Sequence, residues 1–127
     1  MPNNTKYKKA LIIDDDEKSA KLLKLLIEDI ISVETAYNGK EGLEKIENDY
    51  FDVIISDVNM PFMNGIDLFY KAEKIDPKIK DRFIFYTASC QSHCISFFKN
   101  NGLSYLQKPS SAGEIMGMIS RIVDFET

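Results

Sequence analysis

Excess basic charge, long apolar runs and metal-binding cysteines are all scarce in this chain, and each shortage removes a class of function. Sixteen Lys and Arg stand against twenty Asp and Glu, a net charge of −4. No basic stripe is available to neutralise nucleic-acid phosphates, so the chain is not expected to bind nucleic acid. No apolar run approaches the roughly 18 residues a membrane helix needs. The opening stretch, Met1 to Lys9, is polar and lacks the apolar segment of a signal peptide. A cytoplasmic protein without membrane attachment is expected. The two cysteines, Cys90 and Cys94, are four apart. On a helix their Cβ atoms would lie about 5–6 Å apart, against about 3.8 Å in a disulfide, so free thiols are expected. Together with His93 they suggest a metal site, but a closed zinc site takes four ligands. The chain has no other Cys or His.

What is present is the material of one ordinary globular domain. The 127 residues suffice for a single domain over 1–127, with a polar tail at 1–8, and 44% of them are hydrophobic. Short apolar runs alternate with amphipathic stretches. Ala10-Leu11-Ile12-Ile13 reads as a strand buried on both faces. Leu22, Leu23, Leu26, Ile27 and Ile30 recur at helical spacing within Ser19 to Ile31. Val33 to Ala36 is a second strand. Asn38-Gly39 is a turn signal, and Leu43 and Ile46 lie on a helix running to about Asn48. Val53-Ile54-Ile55-Ser56 is a third strand. Ile66, Leu68, Phe69 and Ala72 fit a helix that stops before Pro77. Phe83 to Tyr86 is a fourth strand and Cys90 to Asn101 a helix closed by Gly102. Ser104-Tyr105-Leu106 is a short fifth strand. Ser110 or Ser111 caps a last helix carrying Ile115, Met118, Ile119 and Ile122. Five strand–helix alternations predict an α/β fold, a doubly wound parallel sheet with helices on both faces.

Ligands of such folds bind beyond the carboxyl ends of the strands, so the residues at those ends matter most. Strand one runs into Asp14-Asp15-Asp16, strand three into Asp57, strand four into Thr87 and strand five into Lys108. Carboxylates gathered on one rim repel one another and call for a cation. Hard oxygen donors with no thiolate or imidazole nearby suit magnesium. Such a site would let an aspartate attack phosphorus while lysine and a threonine hydroxyl bind the remaining phosphoryl oxygens. Each piece alone has a plainer explanation. Acids after a strand commonly collect near a helix dipole; an Asp before a Pro-containing loop is commonly a turn residue; Thr caps helices, and Lys-Pro makes solvated turns. The force lies in all four falling at successive strand ends.

At this point the sequence resembles the response-regulator receiver family of two-component signalling, the chemotaxis receivers among them, over nearly its whole length. The matching pieces are Leu11-Ile12-Ile13-Asp14-Asp15-Asp16, Asp57-Val58-Asn59-Met60-Pro61 with Asn64-Gly65, Thr87-Ala88, and Tyr105-Leu106-Gln107-Lys108-Pro109. The resemblance implies a five-stranded, flavodoxin-like sheet of order 2-1-3-4-5. It implies that Asp57 accepts the phosphoryl group. Asp15 would be a direct Mg2+ ligand and Asp14 one through water, with Asn59 giving its backbone carbonyl; Mn2+ could substitute. Thr87 and Lys108 would hold the phosphoryl group, and Thr87 and Tyr105 would act as the switch. Partners implied are a histidine kinase or histidine phosphotransfer protein, an output partner or domain that the sequence does not name, and a second copy of the chain. The last would dock through the fourth helix, fifth strand and fifth helix, where one of Phe97 and Phe98 should be exposed. The only chemistry implied is self-catalysed transfer to, and hydrolysis from, Asp57. Departures from the family lie at Gly102-Leu103 and Asn101, beside the fourth helix and away from the site; Ser89 falls at a variable position.

Other readings fit less well. A flavodoxin-type flavin binder needs a phosphate-cradling loop after strand one, and three aspartates would repel that phosphate. An aspartate-nucleophile phosphatase would want a second Asp where Asn59 stands. An EF-hand starting at Asp14 would need Gly where Ser19 stands. A phosphorylation-independent receiver-like interaction module has no use for Asp15, Asp57, Thr87 and Lys108 together.

Overall fold

The computed structural model describes residues 8–88 and 92–124. The described elements run β1 (Lys9–Ile13), α1 (Glu17–Ile27), β2 (Ser32–Ala36), α2 (Gly39–Asn48), β3 (Val53–Ser56), α3 (Gly65–Ile75), a 3-10 turn (Ile79–Arg82), β4 (Phe83–Thr87), α4 (Ser92–Asn100), β5 (Ser104–Gln107) and α5 (Ala112–Ile122). The strands form one parallel sheet of order β2-β1-β3-β4-β5, the expected order. In register, Ile13 lies beside Ala36 and Ser56, Ser56 beside Phe85, and Thr87 beside Gln107. The carboxyl ends of β1, β3, β4 and β5 therefore line one rim.

Two apolar layers hold the sheet. One face packs Leu11, Ile13, Ile54, Phe83 and Phe85 under α2, α3 and α4, with Leu68, Phe69 and Phe98. The other packs Ala10, Ile12, Val53, Ile55 and Ile84 under α1 and α5, with Leu23, Ile27, Ile115 and Ile119. Strand alternation produces this split, since successive side chains point to opposite faces. On the first face Phe85 and Phe98 stack at 4.6 Å between centroids, and Tyr105 stacks on Phe98 at 5.3 Å.

Side-chain caps set the helix starts. Asp16 accepts the Lys18 N–H at α1, Asn38 the Glu41 N–H at α2, and Asn64 the Ile66 and Asp67 N–H groups at α3. Ser111, rather than Ser110, caps α5 in a reciprocal box with Glu114. Helix α1 ends sooner than its apolar period implied. It buries Ala20, Leu23 and Ile27 and leaves Leu22 and Leu26 exposed. Helix α4 buries Phe98; Phe97 is half-buried, edge-on to Tyr70 and packed against the edge of the same core, so neither ring is exposed as expected.

One expectation needs correcting. Cys94 is disulfide-bonded rather than a free thiol. The expectation of free thiols holds only for two cysteines four apart within one regular helix. Cys90, Ser89 and the N-terminal residues 1–7 lie outside the described residues. No helix among the described residues is long and apolar enough to cross a membrane.

Candidate functional site: an acidic rim facing one lysine

The backbone fixes the acids before any side chain acts. Asp14 N–H donates to the Ala36 carbonyl at 3.0 Å, extending the β1–β2 ladder by one residue. Asp57 N–H donates to the Ile13 carbonyl at 2.9 Å, which pins the end of β3 to the end of β1. Lys108 N–H donates to the Thr87 carbonyl at 2.9 Å and ties β5 to β4. Three strand ends thus deliver Asp14, Asp57 and Lys108 to one place from positions far apart in sequence.

Carboxylate oxygens of Asp14, Asp15 and Asp57 all lie within 4.8 Å of one another. Asp14 and Asp57 are largely buried and Asp15 is exposed. The Lys108 ammonium donates to Asp14 Oδ2 at 2.6 Å and to Asp57 Oδ2 at 3.3 Å. It also lies 3.4 Å from the Ser19 hydroxyl. The second oxygens are held by the backbone. Asp14 Oδ1 accepts the Asp16 N–H at 2.9 Å, and Asp57 Oδ1 accepts the Val58 N–H at 2.7 Å and, less closely, the Asn59 N–H at 3.4 Å.

Charge does not balance here. Three carboxylates face one ammonium, which leaves two negative charges in a half-buried space. Two unit charges about 4 Å apart repel by about 4 kcal/mol at an effective dielectric near 20. Burial pushes the Asp14 carboxyl above the ordinary aspartate range; Lys108 and the Asp16 N–H work against that rise, and the Asp57 charge adds to it. Burial also works against the Lys108 ammonium, but its bond to Asp14 and the charges of Asp57 and Asp14 outweigh that and raise it. The residues present fit a divalent cation of the hard, oxygen-seeking type: three carboxylates and, among the described residues, no thiolate or imidazole grouped with them.

The other expected site residues stand as follows. Thr87 closes β4, buried, next to Gln107 of β5. Asn59 follows Asp57 in the β3–α3 loop, exposed, its N–H turned to the Asp57 carboxylate. Tyr105 is half-buried on the α4 side, packed on Phe98, and its neighbour Leu106 packs on the other face. Asp16, the third acid of the run, caps α1 instead of joining the cluster.

Sequence reasoning passed over two contributors. Ser19 is one turn into α1, and nothing in its surroundings in the chain marks it. Gly65 stands in the sequence only as part of the matching pair Asn64-Gly65, with no role of its own. A Cβ there would meet the Asp57 carbonyl oxygen at 2.1 Å, so only glycine lets α3 start against the backbone of Asp57. The Gly65 N–H also donates to the Val58 carbonyl at 2.8 Å and closes the loop.

A doubly wound parallel sheet with an acidic rim answered by a single lysine defines a narrow class of α/β proteins. A family profile for the response regulator receiver domain matches residues 10–120. The chain belongs to the response regulator receiver family of two-component systems. It is similar to a CheY-like receiver domain protein from Methanospirillum hungatei, at 33% identity, with 90% of this chain and 91% of that one covered and a TM-score of 0.81. A Francisella response regulator receiver domain is 31% identical, covering 91% of this chain and 95% of that one at a TM-score of 0.79. Among curated relatives, the transcriptional regulatory protein CrdR of Helicobacter pylori is 34% identical over 90% of this chain and 54% of its own length. The probable transcriptional regulator ycf29 of Porphyra purpurea is 31% identical over 92% of this chain and 56% of its own. The chain spans about half the length of these curated relatives.

Proposed function

We propose that the chain is a phosphoacceptor switch in which Asp57 takes a phosphoryl group in a magnesium-dependent reaction. The observation that carries this reading is the cluster itself: oxygens of Asp14, Asp15 and Asp57 within 4.8 Å of one another, facing the Lys108 ammonium. Asp15, Asp57 and the backbone carbonyl of Asn59 would hold Mg2+ (or Mn2+), and Asp14 would serve it through water. The bound ion supplies positive charge to the phosphoryl oxygens and relieves the repulsion among the carboxylates.

The step itself is a displacement. A carboxylate oxygen of Asp57 forms a bond to phosphorus, the bond from phosphorus to the donor breaks, and the donor keeps the electron pair. With a phosphohistidine donor the leaving group is an imidazole; with acetyl phosphate it is acetate. Lys108 and the Thr87 hydroxyl bind phosphoryl oxygens by charge and hydrogen bonding, so catalysis is mostly position and electrostatics. Donors of this kind on a protein are a histidine kinase or a histidine phosphotransfer protein. The chain acts on no other substrate; water later hydrolyses the aspartyl phosphate. We place the protein in the cytoplasm, with no nucleic-acid or membrane contact by this domain.

Signalling follows from the same atoms. Phosphorylation adds about two negative charges. The Thr87 hydroxyl is drawn to them, and the Tyr105 ring, packed on Phe98, changes position behind it. The surface that changes is α4, β5 and α5, where an output partner or a second copy docks. The test is mass spectrometry after incubation with acetyl phosphate and Mg2+. One phosphoryl group on the wild type and none on Asp57→Asn is expected. An unlabelled wild type would leave a phosphorylation-independent interaction module as the better reading.

A further inference from the structure

On β4 the alternation sends Phe83 and Phe85 to one face and Ile84 and Tyr86 to the other. Tyr86 is thus the last side chain on the α1/α5 face before Thr87, and it is only half-buried. Its ring lies beneath the Lys108 ammonium, 5.4 Å from nitrogen to centroid. Its hydroxyl accepts the Ser110 N–H at 3.2 Å, two residues past Lys108. One tyrosine thus grips both the head of the lysine and the loop that carries it.

The chemistry of the two grips differs from that of the carboxylates. Lysine is a flexible four-carbon stem ending in three donors, and held loosely it keeps considerable rotamer freedom. Asp14, Asp57 and Ser19 all hold it through oxygens that occupy its N–H groups. An aromatic face attracts the cation through its quadrupole while leaving those N–H groups available to other acceptors. Once Asp57 is an acyl phosphate its carboxyl oxygen is a poorer acceptor, and the ring is then a partner for Lys108 that phosphorylation does not alter.

We propose that Tyr86 is a positioning residue for phosphoryl transfer: its ring holds the Lys108 ammonium over the site and its hydroxyl anchors the loop behind it. This rests on the reading of Lys108 as a phosphoryl-binding group. Tyr86→Phe keeps the ring and removes the acceptor. Tyr86→Leu removes both, and Tyr86→Met serves if the leucine variant does not fold. With acetyl phosphate and saturating Mg2+, Asp57 labelling should slow about two- to threefold in Tyr86→Phe and about tenfold in Tyr86→Leu. Mg2+ affinity, read from the thermal shift, should stay within about twofold of wild type, since no oxygen ligand is touched. Labelling of Tyr86→Leu at the wild-type rate overturns the proposal, and so does a Mg2+ affinity weakened enough to account for the slowing.

A second measurement needs no phosphorylation. The Lys108 ε-methylene protons, shielded by the ring, should move downfield in Tyr86→Leu and stay in place in Tyr86→Phe. If the wild type takes no label, the proposed function fails and this NMR shift alone judges the positioning. An unmoved Lys108 signal in Tyr86→Leu overturns it.

Discussion

The two rims of the sheet carry similar residues and treat them oppositely. At the amino ends of the strands, acids are matched. Asp52 accepts the Lys9 N–H at 2.8 Å, Asp49 pairs with the Lys9 ammonium, and Asp76 pairs with Arg82 at 2.8 Å. Arg82 also donates to the Phe51 carbonyl at 3.0 Å and lies over the Tyr50 ring at 4.6 Å. At the carboxyl ends, three carboxylates crowd one ammonium; one of the three is buried and another half-buried. Matched charges pin loops. Crowded ones cost stability until a cation arrives, and a protein that keeps them does so for chemistry rather than for its fold.

The largest expected effect is at the carboxyl rim and concerns packing. Gly65→Ala should cost about 3 kcal/mol in urea denaturation, because a Cβ meets the Asp57 carbonyl and no rotamer relieves a backbone clash. At the amino rim, Arg82→Ala should cost about 2 kcal/mol by the same assay, since it removes an ion pair, a carbonyl bond and a ring contact together. Asp14→Asn should cost clearly less than that in metal-free buffer, because burial disfavours the charge it removes and Lys108 keeps Asp57 as a partner. Burial raises the Asp14 carboxyl, so the folded state binds its proton more tightly than the unfolded state does. The ionised form therefore costs stability near neutrality, and the cost fades as pH falls toward the raised value. A loss for Asp14→Asn comparable to that for Arg82→Ala would erase the contrast between the rims.

The smallest effect is at Asp76. Its carboxyl is held below the ordinary range by the hydrogen bond from Arg82, then by the Lys78 N–H. A depressed folded value gives stability that is present above the unfolded pKa, near 4, and lost as pH falls through the folded one. Asp76 is more than a third exposed, so solvent screens the pair. Asp76→Asn should cost only about 0.5 kcal/mol at pH 7. Acid titration of the two proteins should show that difference close as the pH drops below 4.

The fold could be read because its signals are local and repeated. β3 was expected at Val53–Ser56 and is found there, since four apolar residues flanked by polar ones fit little else. The rim could be read because strand ends are positions in the chain: once Ile13, Ser56, Thr87 and Gln107 end strands, their followers must meet. Contacts that depend on direction could not be read. Leu22 and Leu26 share the helical period of Leu23 and Ile27, and the angle at which α1 sits on the sheet decides which pair is buried. Ser19 reaches Lys108 only because that helix passes over the rim. Tyr86 looked like one more strand aromatic, and the loop folding back after Lys108 gave its hydroxyl a partner. The disulfide at Cys94 escaped because ideal helical spacing of residues four apart argues against a bridge.

The carboxyl rim is short of positive charge, and a magnesium titration tests that most directly. The thermal midpoint of the wild type should climb with MgCl2 as RT ln(1 + [Mg]/Kd) requires. In Asp15→Ala and Asp57→Asn the climb should be mostly lost. A wild-type midpoint that ignores magnesium, or one that rises equally in all three proteins, would contradict it.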